Sequence, residues 1–231
     1  MQPPVQYALT SDGVRIACWS AGEGEPLVYM NGWPFEHVGL EWTQPDFQLL
    51  YGHLIQRHRL VRFDGRGVGL SQRDVDDISL EGRVRDLEAV IDRLGLDRIN
   101  LVGFSTTGPV AILYAARCPE RVARLILHDC HARPATWVAS PEARALQALI
   151  RADWKVFTEM MSNIGYGWSA GEQARDYAKF LRDCVSQEMA IRAIDTMREI
   201  DVNDMVREIR VPTLVMQHSA VPEMRWRAEA G

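Results

Sequence analysis

A chain of 231 residues, 47% hydrophobic and 25% charged, has the composition of a folded globular protein, which excludes disorder for the chain as a whole. Lys and Arg number 26 against 31 Asp and Glu, a net charge of −5; with no basic run to offset it, this argues against nucleic acid as a partner. A chain of this length buries roughly 70% of the surface its unfolded form exposes, enough for a core without disulfides or a structural metal.

Residues 1–13 carry neither a basic head nor an apolar run and do not read as a signal peptide. Cys18, Cys118, Cys130 and Cys184 lack the paired spacing of a zinc or redox motif, so free thiols in a reducing cytoplasm are expected. From residue 5 onward, strand and helix patterns alternate as in an α/β fold. Residues 5–9 and 14–20, joined by Ser11-Asp12-Gly13, predict a hairpin. Residues 27–30 form a short apolar run ended by Asn31-Gly32, the pattern of a buried strand. A helix is expected within 45–56, then a strand at 59–63 and the loop Asp64-Gly65-Arg66-Gly67-Val68-Gly69.

Leu80, Val84, Leu87, Ile91 and Leu94 recur at helical spacing, with Ser79 to cap the start and Gly95 to end it. The longest uncharged stretch, 99–116, contains Asn100, Ser105, Thr106, Thr107, two glycines and Pro109. It predicts a strand at 99–104 and a helix at 109–117 in place of a membrane span. A strand follows at 122–128. From 141 to about 209 the pattern is helical only, before a last strand at 213–217. The expected division is a core over 1–136, a helical cap over 137–210, and a last core strand with its tail over 211–231. Trp137, Trp154, Tyr166 and Trp168 enrich the cap in aromatic residues, expected to pack its interior more than to line a pocket.

The sharpest chemical signal is Gly103-Phe104-Ser105-Thr106-Thr107-Gly108, where an apolar strand runs through a small-residue turn into a helix. A serine on such a turn has its hydroxyl raised above the sheet at a helix amino terminus. The segment resembles the Gly-x-Ser-x-Gly nucleophile elbow of the α/β-hydrolase fold family, with Thr107 in place of the second glycine. Three further segments carry the same resemblance. Asn31-Gly32-Trp33-Pro34 is similar to the family's His-Gly-x-Pro loop, with Asn31 for histidine. Asp64 to Ser71 is similar to its Asp-x-Arg-Gly-x-Gly-x-Ser loop, whose role there is structural. Pro119-Glu120-Arg121-Val122 precedes the next strand.

The resemblance implies an α/β-hydrolase fold: a doubly wound, mostly parallel sheet with an inserted helical cap, lacking the last strand and helix. It further implies Ser105 as nucleophile, the amides of Trp33 and Thr106 as an oxyanion hole, and a pocket edged by Asn31, Gly32 and Phe104. Neither a cofactor nor a metal is implied; His128-Asp129-Cys130-His131 has ligand residue types but no second set. The family's base falls after one further strand, and residues 219–231 contain no Asp or His. Asp129 is the candidate acid and His37 the candidate base in their place, with His128, His131 and His218 as other histidines near strand ends.

Two readings follow. One is a serine hydrolase acting on an apolar ester, lactone or similar acyl substrate, with slow turnover for want of the usual base. The other is a ligand-binding or sensing module without an intact triad, similar to the hydrolase-like domains associated with cyclases or transcriptional regulators. A shortened form of an ordinary enzyme is a third possibility. The last strand is expected to pair on one side only, which favours a homodimer through the open edge.

Overall fold

The computed structural model describes residues 2–217, except for the side chains of 136 and 137. His218 and residues 219–231 lie outside the described residues, and with them the question of what covers the last strand.

The chain runs β1 (Gln6–Leu9), β2 (Arg15–Ala21), β3 (Glu25–Met30), α1 (Pro45–Leu54), β4 (His58–Phe63), α2 (Leu80–Arg93), β5 (Ile99–Phe104), α3 (Gly108–Arg117) and β6 (Val122–His128). Helices α4 (Ala135–Val138), α5 (Pro141–Ala152), α6 (Trp154–Tyr166), α7 (Glu172–Cys184), α8 (Gln187–Thr196) and α9 (Asn203–Glu208) follow, then β7 (Thr213–Met216). The helical stretch begins with α4, two residues ahead of the expected 137. The strand order is β1-β2-β4-β3-β5-β6-β7. The β1–β2 and β2–β4 pairs are antiparallel and the other four parallel.

Alternation along the strands builds two cores. Ile16, Cys18, Val28, Met30, Val61, Phe63 and Leu101 face the side of Val84, Leu87 and Ile91 from α2 and Val110 to Ala115 from α3. Ala17, Trp19, Leu27, Leu60 and Val102 face Tyr51 of α1. Ser79 caps α2 by accepting from the Gly82 amide, as expected. β3 starts two residues earlier than its apolar run, because pairing with β4 begins at Glu25 opposite His58 whereas pairing with β5 begins at Leu27.

From β3 the chain crosses one way to β4 and then back past β3 to β5. This is a topological switch point, and the crevice at the carboxyl ends of β3 and β5 is where such sheets bind ligands. The Asn31–Pro34 loop and Ser105 leave those two strand ends.

The Asp64 to Ser71 loop is bound by buried polar contacts. Asp64 accepts from the amides of Val38 and Leu70, both at 2.7 Å, and its carboxylate sits 2.1 Å from where a Cβ on Gly69 (φ 53°) would be, so only glycine fits. Ser71 donates to the Asp64 carbonyl (2.7 Å) and accepts from Ala17 N–H (2.8 Å). Asp86 on α2 accepts from both the amide and Nε of Arg66 at 2.9 Å, while Asp12 takes the far side of the guanidinium. The loop holds the hairpin, α2 and the β3–α1 connection together, in line with its expected structural role.

Among the described residues β7 is an edge strand, paired to β6 alone, with Leu214 and Val215 54% and 67% exposed. No helix among them is long and apolar enough to cross a membrane.

Burial pushes the Asp64 carboxyl up to about 7, against the pull of its two amide donors. Its protonated form is therefore favoured by folding, a contribution present below the ordinary carboxylate range and lost as pH rises through about 7. Asp12, Asp77 and Glu81, held low by partners, have completed their contributions by pH 5. Denaturant unfolding of wild type and Asp64→Asn is expected to show the wild-type advantage shrinking from pH 5 to pH 8.

Candidate functional site

β5 ends at Phe104 and a 3-10 turn over Ser105–Thr107 leads into α3. Ser105 has φ 54°, a left-handed conformation costing a non-glycine residue on the order of 1–3 kcal/mol unless its surroundings fix it. They do so by close approach: a Cβ on Gly103 would lie 2.9 Å from Ala111 Cβ, and one on Gly108 2.4 Å from Cys130 Cβ. Thr107 is tolerated at the place of the second glycine because its φ is −92°. Its hydroxyl closes the turn, accepting from Phe104 N–H at 3.0 Å and sharing its proton between the carbonyls of Phe104 (2.9 Å) and Met30 (3.1 Å).

The Asn31–Pro34 loop lies against this turn. A Cβ on Gly32 would stand 3.8 Å from the Phe104 ring and 3.9 Å from Ser105 Cβ. Thr106 donates its hydroxyl proton to the Trp33 carbonyl at 2.5 Å. Asn31 is buried, with Nδ2 at 3.4 Å from Glu41 Oε1. Glu41 in turn takes Arg62 and Tyr51 in a fully buried cluster. Of the two expected oxyanion donors, Thr106 lies in the first turn of the helical segment that starts at Ser105, where the first amides have no intrahelical acceptor. The Trp33 amide differs from expectation: it donates to the Asn31 carbonyl at 3.0 Å, so its own loop already satisfies it.

Asp129 follows β6, whose register pairs Phe104 with His128, so Ser105 and Asp129 leave neighbouring strands side by side. Both have positive φ, 54° and 51°. Asp129 is buried, its amide donates to the Met216 carbonyl at 2.9 Å, and its Oδ2 is 3.7 Å from His128 Nε2. The His128 ring meets the Phe104 ring edge-on at 5.1 Å.

His37, the candidate base, makes contacts within its own loop. It is buried, and Nδ1 accepts from Leu40 N–H at 3.1 Å. That contact occupies the Nδ1 lone pair, with the His37 carbonyl accepting the same N–H at 2.9 Å, and burial lowers the ring's pKa. Its charged neighbours are Arg73, Glu41 and Asp183. The Cys130 thiol, packed behind the turn, donates towards the Gly103 carbonyl and is pushed up to about 12 by burial, which leaves it protonated. Among the described residues no three His, Cys, Asp or Glu side chains converge to hold a metal ion.

The helical stretch is fastened to the core loops. Cys184 O accepts from Gly69 N–H, and Arg192 donates to the carbonyls of Val75 and Asp76. Trp154 and Phe157 stack at 5.6 Å, with Phe35 of the β3–α1 loop at 6.4 Å from each, so Trp154 packs as expected. Trp168 departs from expectation: it is 73% exposed and edges a cavity of about 230 Å³ with Glu159, Asn163 and Arg175. That cavity touches no residue of the elbow.

A family model described as alpha/beta hydrolase fold matches residues 25–158, more than half of the chain. The chain belongs to the α/β-hydrolase fold family. A non-heme haloperoxidase of Rhodococcus erythropolis is 29% identical over 227 residues, 91% of this chain and 80% of that protein. A cis-3-alkyl-4-alkyloxetan-2-one decarboxylase of Shewanella oneidensis is 31% identical over 54% of this chain. The match spans 38% of that relative's length, and another, to an AB hydrolase superfamily protein of Bacillus subtilis, spans 39%. Among solved structures of the family, a thermophilic esterase from Thermogutta terrifontis superposes with a TM-score of 0.73 at 25% identity, covering 93% of this chain and 79% of that one.

Thr107→Val removes the hydroxyl but keeps the shape, leaving Phe104 N–H without its acceptor. Unfolding free energy is expected to fall by about 1–3 kcal/mol. A companion Gly108→Ala should lose stability by overpacking against Cys130, and lose less in a Cys130→Gly background.

Proposed function

We propose that the chain is an acyl hydrolase in which Ser105 Oγ attacks the carbonyl carbon of an apolar ester or lactone. The observation that carries this reading is Ser105 itself, held at φ 54° on the turn between β5 and α3 at the switch point of the sheet. Such strain persists where the surroundings over-determine it, and it clusters at active sites. In the acylation step the Ser105 Oγ–carbon bond forms, a histidine takes the hydroxyl proton, and the proton passes to the departing alkoxide; water then reverses the sequence to free the acid. Thr106 N–H stabilises the oxyanion at rest geometry. Trp33 N–H joins it by exchanging the Asn31 carbonyl for the substrate oxygen. Asp129 acts as the acid that orients the base, from the strand end beside Ser105.

Because one of the two donors is turned inward at rest, hydrolysis is expected to be slow; one oxyanion donor is typically worth ~10²–10³-fold in rate. A fluorophosphonate probe should label the protein at Ser105, and p-nitrophenyl ester hydrolysis should fall to background in Ser105→Ala. Asp129→Asn should lower turnover while labelling at Ser105 persists. Gln variants at His128, His131 and His218 identify the base as the one whose loss abolishes turnover. The engaged Trp33 amide and the occupied His37 lone pair favour a second reading, a binding module for the same apolar acyl ligands. Absent labelling together with saturable ligand binding would establish it.

A further inference from the structure

On the face that α2 turns to the core, Val84, Leu87, Val90 and Ile91 are apolar as the periodicity predicts, but Arg83 shares their burial at 4% exposure. None of its Nε, Nη1 and Nη2 has a hydrogen-bond acceptor among the described residues. Its guanidinium carbon lies 4.5 Å from the centroid of the Trp33 ring. Asp86 and Glu36 act on it through charge alone, and burial brings its pKa down to about 10. The adjoining cavity, about 20 Å³ between Arg83, Trp33, Glu36, Asp86 and Thr107, has room for one water and no ligand.

Arg66 shows what a satisfied buried arginine looks like in this fold, with Asp86, Asp12 and the Asp77 carbonyl around it. Arg83 has nothing comparable. A buried guanidinium without acceptors is destabilising, and replacing buried charge by an apolar side chain of similar volume is often neutral or stabilising. The fold therefore carries a residue that its own core does not favour, and the contact that residue makes is the face of Trp33. That indole is gripped elsewhere as well: its N–H donates to the Arg66 carbonyl at 3.2 Å, and the Trp33 backbone carbonyl takes the Thr106 hydroxyl.

We propose that Arg83 is a positioning residue, whose cation stacked on the Trp33 ring fixes the Asn31–Pro34 loop against the Ser105 turn. A cation over an indole is attracted to the ring face, more strongly when water is excluded. With its N–H end anchored on Arg66 and its face on Arg83, the Trp33 ring is restrained, which keeps the residue beside the Ser105 turn while its amide exchanges the Asn31 carbonyl for the substrate oxygen. The functional part rests on the reading of Trp33 N–H as an oxyanion donor; the positioning itself does not.

The test compares Arg83→Met and Arg83→Lys with wild type by thermal unfolding, ¹H–¹⁵N spectra of the seven tryptophan indoles and ester kinetics. The Trp33 indole signal is identified by its loss in Trp33→Phe. In Arg83→Met the melting temperature should hold or rise while the Trp33 signal shifts. In the same variant kcat should fall ~10- to 10²-fold with KM nearly constant. Arg83→Lys should recover part of both. A lowered melting temperature with all indole signals displaced would mark Arg83 as merely structural and overturn the proposal, as would an unmoved Trp33 signal. Should wild type neither label nor turn over, the hydrolase reading fails, and the indole shift with retained stability still decides the positioning.

Discussion

The closeness of α3 to the end of β5 is the constraint on which the rest of the site depends. Helix and strand meet with no space for a Cβ at Gly103 or Gly108, and the chain between them has three residues in which to turn. That geometry forces Ser105 to φ 54° and places Thr107 where its hydroxyl bridges β5 to the end of β3. Cys130 fills the remaining gap behind Gly108, so the turn is braced from β3, β6 and α3 at once. The conformational cost at one serine is offset by packing distributed over three elements, which is the condition under which local strain survives.

Around that turn the loops are organised by buried charge more than by apolar contact. On the α1 side, Arg62 and Glu41 pair at 2.5 Å with both side chains fully buried, and Tyr51 completes the set. On the α2 side, Asp86 binds Arg66 through backbone and side chain together. Buried pairs of this kind add little net stability, because desolvation cancels much of the attraction, but breaking one by removing a single partner is strongly destabilising. Their effect is to fix which loop conformations are allowed. Within the β3–α1 connection buried carboxylates take polar partners as well, Glu41 the Asn31 side-chain amide and Glu36 the Gly65 amide. Arg83 stands out against this background because it alone among the buried arginines lacks acceptors among the described residues.

Much of the fold was legible because its signals are local. The period of 3.6 in α2, the Ser79 cap, the apolar runs of β3 to β6 and the turn residues of the β1–β2 hairpin each record a backbone preference within a few residues. The serine turn was legible for the same reason, since strand, small residues and helix follow one another without a gap. The contact of the His37 ring was not legible, because a loop position says nothing about the direction of a lone pair, which here meets the Leu40 amide. Trp168 was misjudged because aromatic content marks burial only on average, and its neighbours in the loop between α6 and α7 leave it in solvent. Arg83 gave no sign at all: a basic residue on an amphipathic helix ordinarily turns outward.

By itself, the sequence determined the order and type of the elements, the family, and the serine at the strand-to-helix turn, since these rest on contacts between near neighbours in the chain. Only the tertiary structure decided which amide is already engaged, what the His37 ring meets, and which charge lies beneath Trp33. Those depend on the relative placement of β3, β5, β6 and α2, segments up to a hundred residues apart. Hydrogen-bond direction and burial are fixed only when such segments meet.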